Sequence, residues 1–202
     1  RQDLLAASHR KQVSQCSPAT RFYGAQATPL PHYRPYFQKY FDYDAKLTDV
    51  WATAFGKENI QIVPYTRSEL QNGDIVDDFA HRTGARFTNK EPLISNTSAD
   101  GNRILAGLKL IEMGLLPKRR KTIVSQLPER GKFQPTQEEA QAFLAHFTQA
   151  NERLAQRWQW NGTPFQFEPG FDMYPETHAP IWTHADMTNL LDAVLSKPHK
   201  TK

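Results

Sequence analysis

Only one stretch of this 202-residue chain has the pattern of a β-strand, and that limits every fold open to it. Asn59 to Tyr65 (NIQIVPY) carries β-branched side chains at Ile60, Ile62 and Val63. Pro64 cannot donate a ladder hydrogen bond, so the strand is expected to end at an edge or a turn. One strand makes no sheet. Either the chain is mainly helical or its other strands precede Arg1. The chain opens inside an amphipathic pattern, with Leu4, Leu5, Ser8 and Val13 at roughly helical spacing and no cap before them. A domain does not normally begin inside an element, so strands upstream of Arg1 are the expectation.

The rest reads as helices joined by Pro- and Gly-rich connections. A first helix is expected over 1–15, then an irregular connection over 16–32 marked by Ser17-Pro18, Thr28-Pro29 and Leu30-Pro31. Tyr43, Leu47, Val50, Trp51 and Ala54 share one helix face, and Gly56 stops that helix. After the strand, a helix near 68–83 would turn Leu70, Ile75, Val76 and Phe79 inward and stop at Gly84. Residues 43–84 thus read as helix-strand-helix, an α/β signature. Residues 85–97 read as loop. A helix near 99–113 carries Ile104, Leu105, Leu108 and Ile111 and ends at Gly114. The strongest helix covers 136–158. Thr136 and Glu139 form a capping box, and Ala140, Phe143, Leu144, Phe147, Leu154, Ala155 and Trp158 keep one apolar stripe. A Pro- and aromatic-rich stretch from Asn161 to Trp182 leads to a short helix near 183–195, capped by Thr183. No boundary marks a second independent domain, so 1–202 reads as one domain or a large piece of one.

Composition removes several function classes. No run approaches 18 apolar residues, so no membrane-spanning helix is expected, and no signal-peptide pattern opens the chain. Cytoplasm is the default location. One cysteine, Cys16, excludes an internal disulfide and a Cys-based zinc site. The seven histidines offer no ligand pair with a third ligand in view, so no metal is expected. A nucleophile elbow and both Gly-rich phosphate-loop patterns are absent. The net charge of +4 permits an anionic ligand without demanding nucleic acid.

Three basic features remain. Lys118-Arg119-Arg120-Lys121 reads as a solvated turn behind a helix C-terminus, where cations suit the dipole; the alternative is binding to phosphates or an acidic glycan. In Arg130-Gly131-Lys132, Gly131 would let a backbone approach an anion closely. Arg1, Ser8, Arg10 and Lys11 place cations and a hydroxyl around a helix start, which suits an anion.

Three segments together resemble a known family. RQDLLAASHRKQ looks like the R-R-Q-D-x-x-x-x-S helix of bacterial sulfotransferase-family proteins of the P-loop type. LTDVWATAFGKENIQIVPYTRSELQNGDIVDDFAHRTG is similar to their W-x-x-x-F-G-x-E-N block. In it Trp51, Phe55, Gly56, Glu58, Asn59, Tyr65, Gly73, Asp74, Asp78, Phe79 and Gly84 fall in place. PTQEEAQAFLAHFTQANERLAQRW resembles their late helix, and ISNTSADGNRIL, less specifically, an N-x-S stretch. The resemblance implies an α/β, P-loop sulfotransferase-like three-layer fold, with this chain as its mostly helical C-terminal part and the phosphate loop upstream of Arg1. It implies sulfonate transfer from 3′-phosphoadenosine 5′-phosphosulfate to a hydroxyl or amine, the acceptor being a bacterial surface glycan or a related saccharide, without a metal. Ser8 matches the 3′-phosphate serine, Arg1 the arginine before it or a shifted ligand, and Tyr65 the adenine-contacting tyrosine. Thr66 replaces the family's Glu. Arg130 and Lys132 give a scrambled echo of a phosphate loop. The catalytic base has no counterpart here. The rival expectation is a non-catalytic carbohydrate- or protein-binding domain on a degenerate form of the same fold. Its binding would be carried by the aromatic stretches 33–43 and 158–182.

Overall fold

The computed structural model describes residues 1–15, 20–24, 26–87 and 100–196. Cys16, the N-x-S stretch and most of the loop expected over 85–97 lie outside them. In chain order the helices begin with α1 (Gln2–Gln15), α2 (Thr20–Tyr23) and α3 (Phe37–Phe41). Then come α4 (Tyr43–Ala45), a π-helical stretch (Lys46–Ala52), α5 (Thr53–Phe55), α6 (Ile75–Thr83), α7 (Gly101–Glu112) and α8 (Pro117–Ser125). The last are α9 (Gln137–Ala145), α10 (Thr148–Arg157) and α11 (His184–Leu195). Two-residue strands β1 (Gln159–Trp160) and β2 (Thr163–Pro164) pair antiparallel across Asn161-Gly162, where both φ angles are positive. That backbone is the one Asn-Gly hairpins adopt. The described residues are therefore mostly helical.

Several expectations need correction. Residues 60–65 form no ladder, although Ile60 has extended dihedrals (φ −111°, ψ 123°). β-branched side chains favour that backbone but do not supply a partner strand. The helix expected near 68–83 starts only at Ile75, because Asp74 caps it by accepting from the Val76 and Asp77 amides. Leu70 is buried, whereas Ile75, Val76 and Phe79 are exposed. Val50 and Trp51 also face water, since the π stretch widens the turn and shifts every later side chain around the axis. The helix of 136–158 breaks between Ala145 and Thr148, at Phe147 (φ −112°, ψ 9°). Its stripe still goes inward at Ala140, Phe143, Phe147, Leu154 and Trp158. Finally, Lys118 to Lys121 lie inside the first turns of α8, after Pro117 at its start. There the helix dipole opposes cations instead of suiting them.

The chain divides into two compact units. The first comprises Arg1–Pro35, Ser98–His146 and Pro169–Lys202; the second comprises Tyr36–Thr97 and Phe147–Glu168. In the first unit, α1 crosses α7 at Gly107, where a Cβ would lie 2.5 Å from the Ser14 carbonyl oxygen. Only a glycine permits that approach. Ala106, Leu110, Ile123, Leu127 and Leu190 join α7, α8 and α11 in one apolar cluster. Each fully buried leucine or isoleucine of this cluster contributes about 1.5–3 kcal/mol. The Thr183 side chain and Asp186 form the capping box of α11. Asp186 also pairs with Arg130, which ties that helix to the 130–132 turn.

In the second unit, Leu154, Trp158 and Phe165 form the core, with Tyr43, Leu47, Ile60 and Ile62 packed around it. Phe41 packs on Phe147, ring centroids 5.4 Å apart. α4 is clamped to α10 by charge. Arg153 reaches Asp42 at 2.6 Å, and Arg157 reaches Asp44 at 3.0 Å. The Trp158 indole donates to Thr48 Oγ1 at 3.2 Å.

Candidate functional site

The five residues expected to bind the cofactor are distributed unevenly. Ser8 stands on the exposed side of α1, and no described residue is hydrogen-bonded to its side chain. Lys11 lies one turn further along the same helix. Burial, and then the positive charge of Lys132, lower the Lys11 ammonium below its ordinary pKa. Two lysines far apart in sequence are thus close enough to repel each other. Among the described residues, neither forms an ion pair with a carboxylate. Lys132 is placed by the N-terminus of α7. The Gly101 amide donates to the Gly131 carbonyl, and a Cβ on Gly101 would lie 2.5 Å from the Phe133 nitrogen.

Arg1 and Arg130 are engaged elsewhere. Arg1 makes a two-pronged bond to Asp3 at 2.8 and 2.9 Å, donates to the Gly170 carbonyl at 2.6 Å and lies over the Phe171 ring. Asp3 is fully buried and also accepts from the Tyr174 hydroxyl at 2.8 Å. Burial works against the Arg1 charge, yet Asp3 and Tyr174 hold its pKa above the ordinary value. Burial and the Asp3 carboxylate push the Tyr174 phenol up. Arg130 is held by Asp186. Both arginines fasten segments of the first unit together. Tyr65 belongs to the second unit and is 78% exposed, its ring open to water.

Other candidates turn out to be structural. Arg10 is buried and donates to the carbonyls of Tyr23, Gly24, Gln26 and Thr28, so it organises the turn after α2. Burial lowers its pKa to about 10, against the pull of Glu112. His9 meets the Tyr23 hydroxyl through Nδ1, and burial lowers its pKa. In the basic run, Arg119 donates to the Val194 and Ser196 carbonyls and Arg120 is buried. Only Lys118 and Lys121 remain as free-standing surface cations there. Phe37, Phe41, Trp158, Phe165 and Tyr174, from the two aromatic stretches, are in the cores.

A hydroxyl at Ser8, an ammonium one turn on at Lys11 and the Lys132 charge that acts on it are chemistry for a phosphate or sulfate. Sequence reasoning grouped Ser8 with Lys11 on the first helix and noted Lys132 separately. It missed that the Lys132 charge acts on Lys11, which depends on how α1 and the 130–132 turn pack on α7. Among the described residues, no group of three His, Cys, Asp or Glu side chains is placed to hold a metal ion. No described helix is long and apolar enough to cross a membrane. No protein-family model matches the chain, and no curated protein or solved structure is significantly similar to it.

Proposed function

We propose that this chain is the mostly helical C-terminal part of a P-loop sulfotransferase-like three-layer fold. It would take part in sulfonate transfer from 3′-phosphoadenosine 5′-phosphosulfate to a saccharide hydroxyl. Beyond the order of the resembling segments, one observation carries the reading. Ser8, at the family's phosphate-binding serine, is open, Lys11 follows one turn later on the same helix and feels the charge of Lys132, and neither lysine has a carboxylate partner among the described residues. Ser8, Lys11 and Lys132 would hold the 3′-phosphate. Arg1 and Arg130 would act one step back, by fixing α1 and the 130–132 turn. Sulfonate transfer is an in-line displacement in which positioning and charge stabilisation supply most of the rate. Fixed cations suit that role without a metal.

The test is calorimetry of the full chain with adenosine 3′,5′-bisphosphate. Binding is expected, and Ser8→Ala, Lys11→Ala and Lys132→Ala should each weaken it about tenfold, the loss of one charge-assisted hydrogen bond. Binding untouched by all three substitutions would remove the reading. A non-catalytic saccharide-binding role finds support in one place. Trp51 and Phe55 are both exposed, with ring centroids 5.8 Å apart. A saccharide that changes Trp51 fluorescence, in a chain that ignores the bisphosphate, would favour it.

A further inference from the structure

The chain contains two Asn-Gly pairs, Asn72-Gly73 and Asn161-Gly162, and one Asp-Gly pair, Asp100-Gly101. Such pairs share a chemical weakness. The amide nitrogen of the second residue can attack the side-chain carbonyl carbon of the first, and glycine, without a Cβ, leaves that path open. The attack needs a free side chain and a free following amide. The structure supplies both at one pair and withholds them at the other two.

At Asp100-Gly101 the Asp100 carboxylate accepts from the Asn102 and Arg130 amides. The Gly101 amide donates to the Gly131 carbonyl, and Gly101 is buried. At Asn72-Gly73 both residues are exposed, yet both reacting groups are engaged. The Asn72 carboxamide donates to the Asp77 carboxylate at 3.1 Å, and the Gly73 amide donates to the Leu70 carbonyl at 2.9 Å. At Asn161-Gly162 neither the carboxamide nor the glycine amide is hydrogen-bonded to a described residue. Both residues are exposed, and beyond the chain neighbours no described atom lies within 4 Å of where a Gly162 Cβ would stand. The turn is also weakly held. β1 and β2 pair through two residues each, and a short two-stranded hairpin is marginal in water. Its opening lets the peptide rotate into line for attack.

We infer that Asn161-Gly162 is the pair that reacts, and that conversion of Asn161 to isoaspartate opens the β1–β2 hairpin. The Gly162 nitrogen gives up its proton and bonds to Asn161 Cγ; the Cγ–Nδ2 bond breaks and ammonia leaves. Water then opens the succinimide ring. Opening at one carbonyl gives aspartate; opening at the other leaves the backbone running through Cγ, as isoaspartate. No atom changes oxidation state. The isoaspartyl form adds a methylene to the backbone of a two-residue loop that depends on positive φ at both positions (50° and 78°). Trp160 enters that loop. Its indole donates to Glu69 Oε2 at 2.9 Å, and the Arg82 guanidinium lies over its ring. Those contacts would be released with the hairpin. The inference goes beyond the sulfotransferase reading and does not rest on it.

The test is incubation of the full chain at neutral pH, followed by digestion, mass spectrometry and enzymatic methylation of isoaspartyl groups. The peptide containing 161 should show the amide-to-acid mass change and accept methyl groups at least about tenfold faster than the peptide containing 72, since a retained hydrogen bond raises the barrier. In the urea-unfolded chain the two rates should converge. Gly162→Ala should slow conversion at 161, and Asp77→Ala should speed it at 72. In the converted chain, amide hydrogen exchange over 158–165 should be faster than in the parent, where the Phe165 amide donates to the Trp158 carbonyl at 2.9 Å. Four outcomes would overturn the inference. One is equal or faster conversion at 72 in the folded chain. Another is a preference for 161 that persists unchanged after unfolding, which would assign it to local sequence instead of structure. The third is conversion at 161 that ignores Gly162→Ala. The last is unchanged exchange over 158–165, which would leave the hairpin closed.

Discussion

The first unit encloses one charge pair completely, Arg1 with Asp3, and clamps another, Asp186 with a part-exposed Arg130; the second unit clamps its buried Asp44 only at the edge of water. Asp3 and its partner Arg1 are almost completely buried, their side chains 0% and 3% exposed. Arg10 is equally sealed, among backbone carbonyls. The second unit buries Asp44 too, but its partners Arg153 and Arg157 keep 41% and 48% of their surface. Charge balance differs as well. The second unit has 9 Lys and Arg against 11 Asp and Glu, so the excess of cations belongs entirely to the first. A unit that neutralises its cations internally offers little to an anion. A unit that buries some arginines and leaves lysines unmatched does, which is why the candidate anion site lies in the first.

The sharpest way to break this contrast is Asp3→Ala. It would strand the Arg1 guanidinium and the Tyr174 hydroxyl away from water, and a broken buried pair costs about 3–5 kcal/mol. Chemical denaturation should show the loss; a change under about 1 kcal/mol would mean that the enclosure is not what holds this unit. Gly107→Ala comes next. The new methyl would press on the Ser14 carbonyl, and overpacking of this kind costs about 1–3 kcal/mol. If the melting temperature does not fall, the α1–α7 crossing is looser than described. Asp44→Ala should cost less than Asp3→Ala, about 1–2 kcal/mol, because Arg153 and Arg157 can turn back to water. Equal costs would erase the distinction between the units.

The smallest expected effect concerns acid. The Thr183 amide and hydroxyl, and then Arg130, hold the Asp186 carboxyl below the ordinary carboxylate range. A lowered folded-state pKa gives stability that is present above about pH 4 and lost as pH falls through the folded value. Melting temperatures followed downward from pH 5 should therefore drop less steeply in Asp186→Asn than in the parent chain.

Local signals were legible wherever a few neighbouring residues decide the outcome. The capping boxes at Thr136 and Thr183 form as expected, because the hydroxyl, the amide it accepts from and the reciprocal carboxylate lie within four residues. Gly84 and Gly114 adopt the positive φ that ends a helix. The strand at 59–65 failed for the opposite reason: its hydrogen-bond partners would have to come from elsewhere in the chain. The inward face assigned to Val50 and Trp51 failed because a π stretch shifted the helical register; Ile75, Val76 and Phe79 do share one face of α6, but that face is exposed, which periodicity alone does not decide. Of the candidate site, Ser8, Lys11 and Lys132 could be named in advance. The engagement of Arg1 by Asp3 and of Arg130 by Asp186 could not, since only packing decides which carboxylate an arginine meets.

By itself, then, the sequence determined the helical character of the chain, most helix ends and the excess of positive charge. Those are properties of composition and of contacts within a turn or two. Tertiary structure alone decided which cations are consumed in holding the fold and which remain for a ligand. That choice depends on long-range approaches such as α1 on α7 at Gly107 and the 130–132 turn on Gly101, where a difference of one methyl group changes what can touch.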